Sequence, residues 1–108
     1  MHLPAISVVI PTLNRSELLQ STLSSLQSQT FGDWEAWVVD DGSTDDTADR
    51  VSQMIELDSR IHYIRRPEGK SGAPVCRNLG TEVAQGRYII YLDSDDYLAA
   101  TAFEKRFE

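Results

Sequence analysis

The chain has one cysteine, Cys76, so no disulfide forms within it. No apolar run approaches the roughly 20 residues that span a bilayer. Met1 to Ile10 lacks the charged start and long apolar core of a secretory leader. Bases are also scarce: 10 Lys and Arg stand against 17 Asp and Glu, a net charge of −7. That balance argues against a nucleic-acid groove, which needs clustered cations, and against docking on anionic lipid. Internal repeats and low-complexity tracts are missing as well. These absences set the expectation of a cytoplasmic protein with no membrane segment and no nucleic-acid partner.

What is present is enough for one small domain. The 108 residues are 41% hydrophobic, a globular rather than a disordered composition. Ile6 to Ile10 is a β-branched run closed by Pro11 and reads as a buried strand. Asn14 or Ser16 is placed to cap a following helix, in which Leu18, Leu19, Leu23 and Leu26 fall at helical spacing to about Gln29. Trp34 to Val39 reads as a second strand, with Trp34 and Trp37 on opposite faces. Ser43 with Asp46 resembles a capping box, ahead of a helix carrying Val51, Met54 and Ile55. Ile61 to Ile64 is a third short strand. Arg66 to Pro74, with two Pro and two Gly, is a loop. A third helix is expected from Pro74 or Val75 to Ala84, a fourth strand over Tyr88 to Leu92, and helix again from Leu98. Alternation of this kind implies an α/β fold of three layers, α/β/α, around a mainly parallel sheet. Ligands of such sheets bind beyond the carboxyl ends of the strands. Three polar clusters should therefore meet there: Pro11 to Asn14, Asp40-Asp41, and Asp93 to Asp96.

The third cluster is the most informative. An apolar run ends in three carboxylates within four residues, Asp93, Asp95 and Asp96. Like charges that close resist burial and are tolerated in water or opposite a cation. Mg²⁺ takes one or two carboxylates together with substrate phosphates, which points to a phosphorylated ligand. A solvated turn is the plainer alternative. Asp40 to Asp45 has two readings that can coexist: acceptors for a nucleobase N–H or a ribose hydroxyl, and a turn with a helix cap. Arg77 would meet a diphosphate or a carboxylate, or lie on the surface. Lys70 would be a lid residue or a solvated lysine. Asp40 to Asp49 holds five acids and no base, and Arg60 to Arg77 five bases and one acid. The two segments could meet around a metal-bound anion. Cys76, with no histidine near it in sequence, reads as a small buried side chain.

In order and spacing, these pieces resemble the nucleotide-binding half of family 2 glycosyltransferases, inverting enzymes of the GT-A fold. The resemblance runs from about Ala5 to Leu98. It rests on Ile6 to Asn14, Ser25 to Phe31, Val39 to Asp45, Arg77 to Gly80, Gly86 to Ile89, and Asp93-Ser94-Asp95. It implies a nucleotide-sugar donor, commonly a uridine diphosphate sugar, and Mg²⁺ or Mn²⁺. Pro11, Thr12 and Leu13 would line the base pocket. Asp41, with Asp40 beside it, would contact the base or hold the pocket. Asp93, with Ser94 next to it, would face the ribose or donor sugar, and Asp95 would ligate the metal. Arg77 would lie near the phosphates or the pocket wall. Val75-Cys76 departs from the small residue more usual before Arg-Asn. The family's general base lies downstream of its Asp-x-Asp motif, and none of the twelve residues after Asp96 matches it. The base is expected beyond Glu108, so residues 1–108 read as the donor-binding part of a longer domain. That longer protein would act in the cytoplasm or at the cytoplasmic face of a membrane, on an acceptor the sequence does not specify.

Two other classes compete. A nucleotidyltransferase would carry a Gly-rich basic loop after the first strand, whereas Pro11 to Arg15 has no Gly. A non-catalytic interaction domain would keep the fold without the chemistry.

Overall fold

Strands and helices alternate along the chain as β1 (Ile6–Thr12), α1 (Ser16–Gln27), β2 (Trp34–Asp40), α2 (Thr47–Leu57), β3 (Ile61–Arg65), α3 (Ala73–Val83) and β4 (Tyr88–Tyr91). The computed structural model describes residues 2–96 and 98–103. One sheet has the order β3-β2-β1-β4, and every pair is parallel. Parallel neighbours need crossovers, which the helices supply.

Period-two alternation sends side chains to both faces of the sheet. Ile6, Val8 and Ile10 of β1 and Trp34, Ala36 and Val38 of β2 pack with Leu19, Leu23 and Leu26 of α1 and Val51 of α2. The intervening Val9 and Val39 pack with Cys76 and Leu79 of α3. The result is the expected three-layer α/β/α arrangement. At Gly80 a Cβ would stand 2.3 Å from Val9 Cγ1, so α3 lies against β1 more closely than any side chain at 80 permits. The two tryptophans do take opposite faces. Trp34 is buried with the Arg60 guanidinium 3.9 Å above its ring, and Trp37 stacks on His62 at 4.4 Å.

Several expectations need correction. Pro11 does not close β1; the strand continues to Thr12, opposite Asp40. Val9 O accepts from Leu92 N–H, so residues 9 and 11 turn their main-chain groups toward β4. Pairing with β4 ends at Val9–Tyr91, and the missing donor of Pro11 falls where no partner is required. Neither Asn14 nor Ser16 caps α1, whose N-cap is Arg15 with no side-chain cap. The capping box also fails. Asp46 is the N-cap of α2, and the first-turn N–H of Thr47 is taken by Asp45 Oδ1 at 3.1 Å. The helix expected from Leu98 does not begin there: residues 98–101 form a loop and turn, closed by Ala102 N–H on Ala99 O at 3.0 Å. Residues 102–103 do turn helical, and the rest of that expected helix, 104–108, lies outside the described residues.

Candidate functional site

The strand order fixes where a ligand can enter. From β1 the chain moves outward to β2 and β3, then returns across β1 to β4. The loops after β1 and β4 therefore part at their carboxyl ends, and such a reversal opens a crevice. A cleft of about 440 Å³ lies there. Pro11, Thr12, Leu13 and Arg15 line it from β1, Asp41 from β2, and Asp93, Ser94 and Asp95 from β4. Ala73 and Cys76 of α3 complete the wall.

The β1 loop is held by its neighbour. Asn14 adopts a left-handed backbone, φ 52°, which asparagine tolerates better than most residues. Its Oδ1 accepts the N–H groups of Thr44 and Asp45 at 2.8 and 3.2 Å, and its own N–H donates to Ser43 Oγ at 2.9 Å. Asn14 thus joins the β1 and β2 loops instead of capping a helix. Thr12 is 3% exposed, and its buried hydroxyl has no hydrogen-bonding partner among the described residues. Buried polar atoms are seldom left so, and at a cleft wall the observation points to a ligand.

The two adjacent aspartates do different work. Asp40 is fully buried beneath the turn. Its Oδ1 accepts from Gly42 and Ser43 N–H at 3.1 and 2.7 Å, and its Oδ2 accepts from the Tyr63 hydroxyl. Burial opposes its ionisation, but the bonds from Tyr63, Ser43 and Gly42 prevail and hold the carboxyl below the ordinary range. Burial and the same contact push the Tyr63 phenol up to about 12. Asp41 faces the cleft, paired with Arg66 Nε, and accepts Gly72 N–H at 3.1 Å. Arg66 also donates to Lys70 O at 3.1 Å, so one guanidinium ties the loop ahead of α3 to Asp41. The acidic and basic segments do meet, in a direct pair of Asp41 and Arg66.

The acidic turn after β4 is pinned from below. Thr22 of α1 is buried, and its Oγ1 lies 3.0 Å from Ser94 O and 2.7 Å from Asp96 O. Asp96 Oδ2 accepts Asp93 N–H at 3.2 Å. With the main chain so held, Asp93, Asp95 and Asp96 are exposed, and one carboxylate oxygen of each lies within 4.8 Å of the others. Three carboxylate oxygens form a hard donor set, which suits Mg²⁺ or Mn²⁺ and not a thiophilic ion. Arg15 Nη1 stands 3.5 Å from Asp95 Oδ2.

Of the residues singled out in the sequence, Pro11, Thr12, Leu13, Asp41, Asp93, Ser94 and Asp95 all line this cleft. Asp40 does not; it braces the turn that presents Asp41. Arg77 is half-buried on α3 and is not among the lining residues. Arg15, Ala73 and Cys76 were not anticipated, nor were the supporting Tyr63, Arg66 and Thr22. Arg15 carried a signal, as a cation beside the polar loop of β1. Thr22 carried none, because its contacts with the acidic turn reach more than 70 positions along the chain. Burial first, then the charge of Asp41, push the Cys76 thiol up to about 11, so it stays protonated.

The fold and cleft define an α/β domain whose polar loops converge at a topological switch point. The chain belongs to glycosyl transferase family 2, whose model matches residues 7–108. A Bacillus subtilis (strain 168) protein, provisionally named as the teichuronic acid biosynthesis glycosyltransferase TuaG, is 42% identical over 105 residues, 97% of this chain and 41% of that protein. Escherichia coli WfaP, named as a UDP-Glc:α-D-GlcNAc-diphosphoundecaprenol β-1,3-glucosyltransferase, is 41% identical over 96 residues, 89% of this chain and 37% of WfaP. The crystal structure of S. aureus TarS 1-349 with UDP-GlcNAc superposes with a TM-score of 0.85 at 28% identity, over 94% of this chain and 30% of that one. The mannosyltransferase PcManGT from Pyrobaculum calidifontis, in complex with GDP-Man and Mn²⁺, gives 0.81 at 25%, over 93% and 30%. This chain spans about two fifths of the length of the first two. No helix among the described residues is long and apolar enough to cross a membrane.

Proposed function

We propose that this chain is the donor-binding part of a metal-dependent glycosyltransferase that moves a sugar from a nucleotide-sugar, a UDP-sugar in the first instance, to an acceptor hydroxyl with inversion. The observation that carries the reading is the convergence of three separate loops, Pro11–Leu13, Asp41 and Asp93–Asp95, on one cleft. The UDP-GlcNAc bound to TarS and the Mn²⁺ bound with GDP-Man to PcManGT support the ligand classes. The β1 loop, with the free hydroxyl of Thr12, would hold the base and ribose beside Asp41. Asp95, with Asp93 and Asp96, would hold Mg²⁺ or Mn²⁺. A cation there would offset the charge that develops on the departing diphosphate. Arg77 would act from the second helical turn of α3, outside the cleft wall. Deprotonation of the acceptor hydroxyl would fall to a residue beyond Glu108. The name that WfaP carries supports a lipid-linked acceptor for the whole protein, which would then act at the cytoplasmic face of a membrane.

Calorimetric titration of the chain with UDP and with GDP, each with MnCl₂ and with EDTA, tests this. Saturable binding of UDP that depends on Mn²⁺ is expected. No binding of either nucleotide at millimolar concentration with Mn²⁺ present would reject the proposal.

A further inference from the structure

We propose that Arg15 is a built-in counter-cation for Asp95 that couples the binding of the divalent ion to the binding of the donor diphosphate. The proposal rests on the metal reading of Asp93, Asp95 and Asp96. It adds a residue to which neither the family match nor the sequence assigned a role.

The charges around the cleft carry the argument. Among the described residues that line it, three are carboxylates, Asp41, Asp93 and Asp95, and Arg15 is the one cation. Asp41 is neutralised elsewhere, by Arg66, and by the N–H of Gly72. Among the described residues the acidic turn has Arg15 alone, with Nη1 3.5 Å from Asp95 Oδ2 and both side chains half exposed. A diphosphate entering this cleft meets net negative charge and one guanidinium. Arginine suits phosphate oxygens as well as carboxylate, because its planar fork serves both.

Arg15 is also well placed to change partners. Its main chain is fixed as the N-cap of α1, where its carbonyl accepts Leu19 N–H at 2.8 Å. Its side chain is long and, among the described residues, held only at the half-exposed Asp95, a weak contact. A divalent ion on Asp95 displaces the guanidinium, which then turns to the phosphates. Phosphates that draw Arg15 away free Asp95 for the ion. Each ligand therefore favours the other, and by linkage the two enhancements are equal. In this way the carboxylates hold a metal poorly alone and well with a nucleotide.

The test reads Mn²⁺ binding from the electron paramagnetic resonance signal of the free ion, with and without saturating UDP. In wild type, UDP should tighten Mn²⁺ binding. Arg15→Ala should bind Mn²⁺ alone about two- to fivefold more tightly, the worth of an exposed ion pair, and show a smaller enhancement by UDP. Arg15→Lys, which keeps the charge, should resemble wild type for Mn²⁺ alone. Unchanged or weaker Mn²⁺ binding by Arg15→Ala without UDP would overturn the proposal. Asp95→Asn separates this from the metal reading. If it abolishes Mn²⁺ binding while Arg15→Ala has no effect, the coupling alone fails. If wild type binds no Mn²⁺, or Asp95→Asn binds as wild type does, the metal assignment fails and the coupling with it.

Discussion

Thr22 and Asp96 are 74 positions apart in the chain, yet the hydroxyl of one lies 2.7 Å from the carbonyl oxygen of the other. A core threonine on α1 thereby holds the main chain of the turn that displays the carboxylates. Thr22→Val keeps the shape and removes the donor. Stability should fall by about 1–2 kcal/mol, the usual loss for buried carbonyls left without a partner. Mn²⁺ binding should weaken several-fold, because the three carboxylates are no longer held together. Urea denaturation and a Mn²⁺ titration of the same variant check both.

Arg66 separates nucleotide binding from metal binding. It pairs with Asp41 and also holds Lys70 O, so Arg66→Gln should loosen the loop ahead of α3 and misplace Asp41. UDP affinity is expected to fall about tenfold, roughly 1.4 kcal/mol, while Mn²⁺ binding without nucleotide stays unchanged. Calorimetry with each ligand in turn distinguishes the two effects.

The buried Asp40 makes stability depend on pH. Its carboxyl is held below the ordinary range in the folded chain, because hydrogen bonds outweigh the opposing effect of burial. It thus contributes stability above the unfolded-chain value of about 3.9, and that contribution is lost as pH falls through the lower folded value. Tyr63→Phe removes one of those bonds. The variant should be about 1.5–3 kcal/mol less stable at pH 7. The gap to wild type should narrow below about pH 4, as measured by denaturation at pH 7, 5 and 3.

Gly80 tests how closely α3 approaches the sheet. A methyl group there meets Val9 Cγ1 at 2.3 Å, so Gly80→Ala forces α3 and β1 apart. A loss of about 1–3 kcal/mol is expected from overpacking, against any gain in helix propensity. Because Ala73 and Cys76 of α3 form one wall of the cleft, UDP binding should weaken as well. A variant as stable as wild type would contradict this packing.

Much of this arrangement was legible along the chain, because it rests on local patterns. The alternating strands and Leu-rich helix follow from side-chain periodicity, and periodicity also places the polar loops at the carboxyl ends of the strands. The acids after β4 stood out because an apolar strand delivered them. What stayed hidden depends on contacts distant in sequence. Pro11 could sit inside β1 only because β4 stops pairing at Val9, which no local pattern reveals. Asn14 looked like a helix cap, and its side chain instead serves a loop 30 residues away. Asp40 and Asp41 looked equivalent, and strand alternation combined with Tyr63 and Arg66 divides their roles. Arg77 left several roles open; it stands half-buried on α3 outside the cleft lining, and among the described lining residues the cation is Arg15.

The central claim is that one cleft at the β1–β4 switch point takes both the cation and the nucleotide. The most direct test is a crystal of the chain with MnCl₂ and UDP, with anomalous data collected at the manganese edge. The expected result is an anomalous peak against Asp95, joined to Asp93 or Asp96, with the uridine beside Pro11–Leu13 and Asp41. A peak remote from Asp95, or a nucleotide seated outside the cleft, would contradict it.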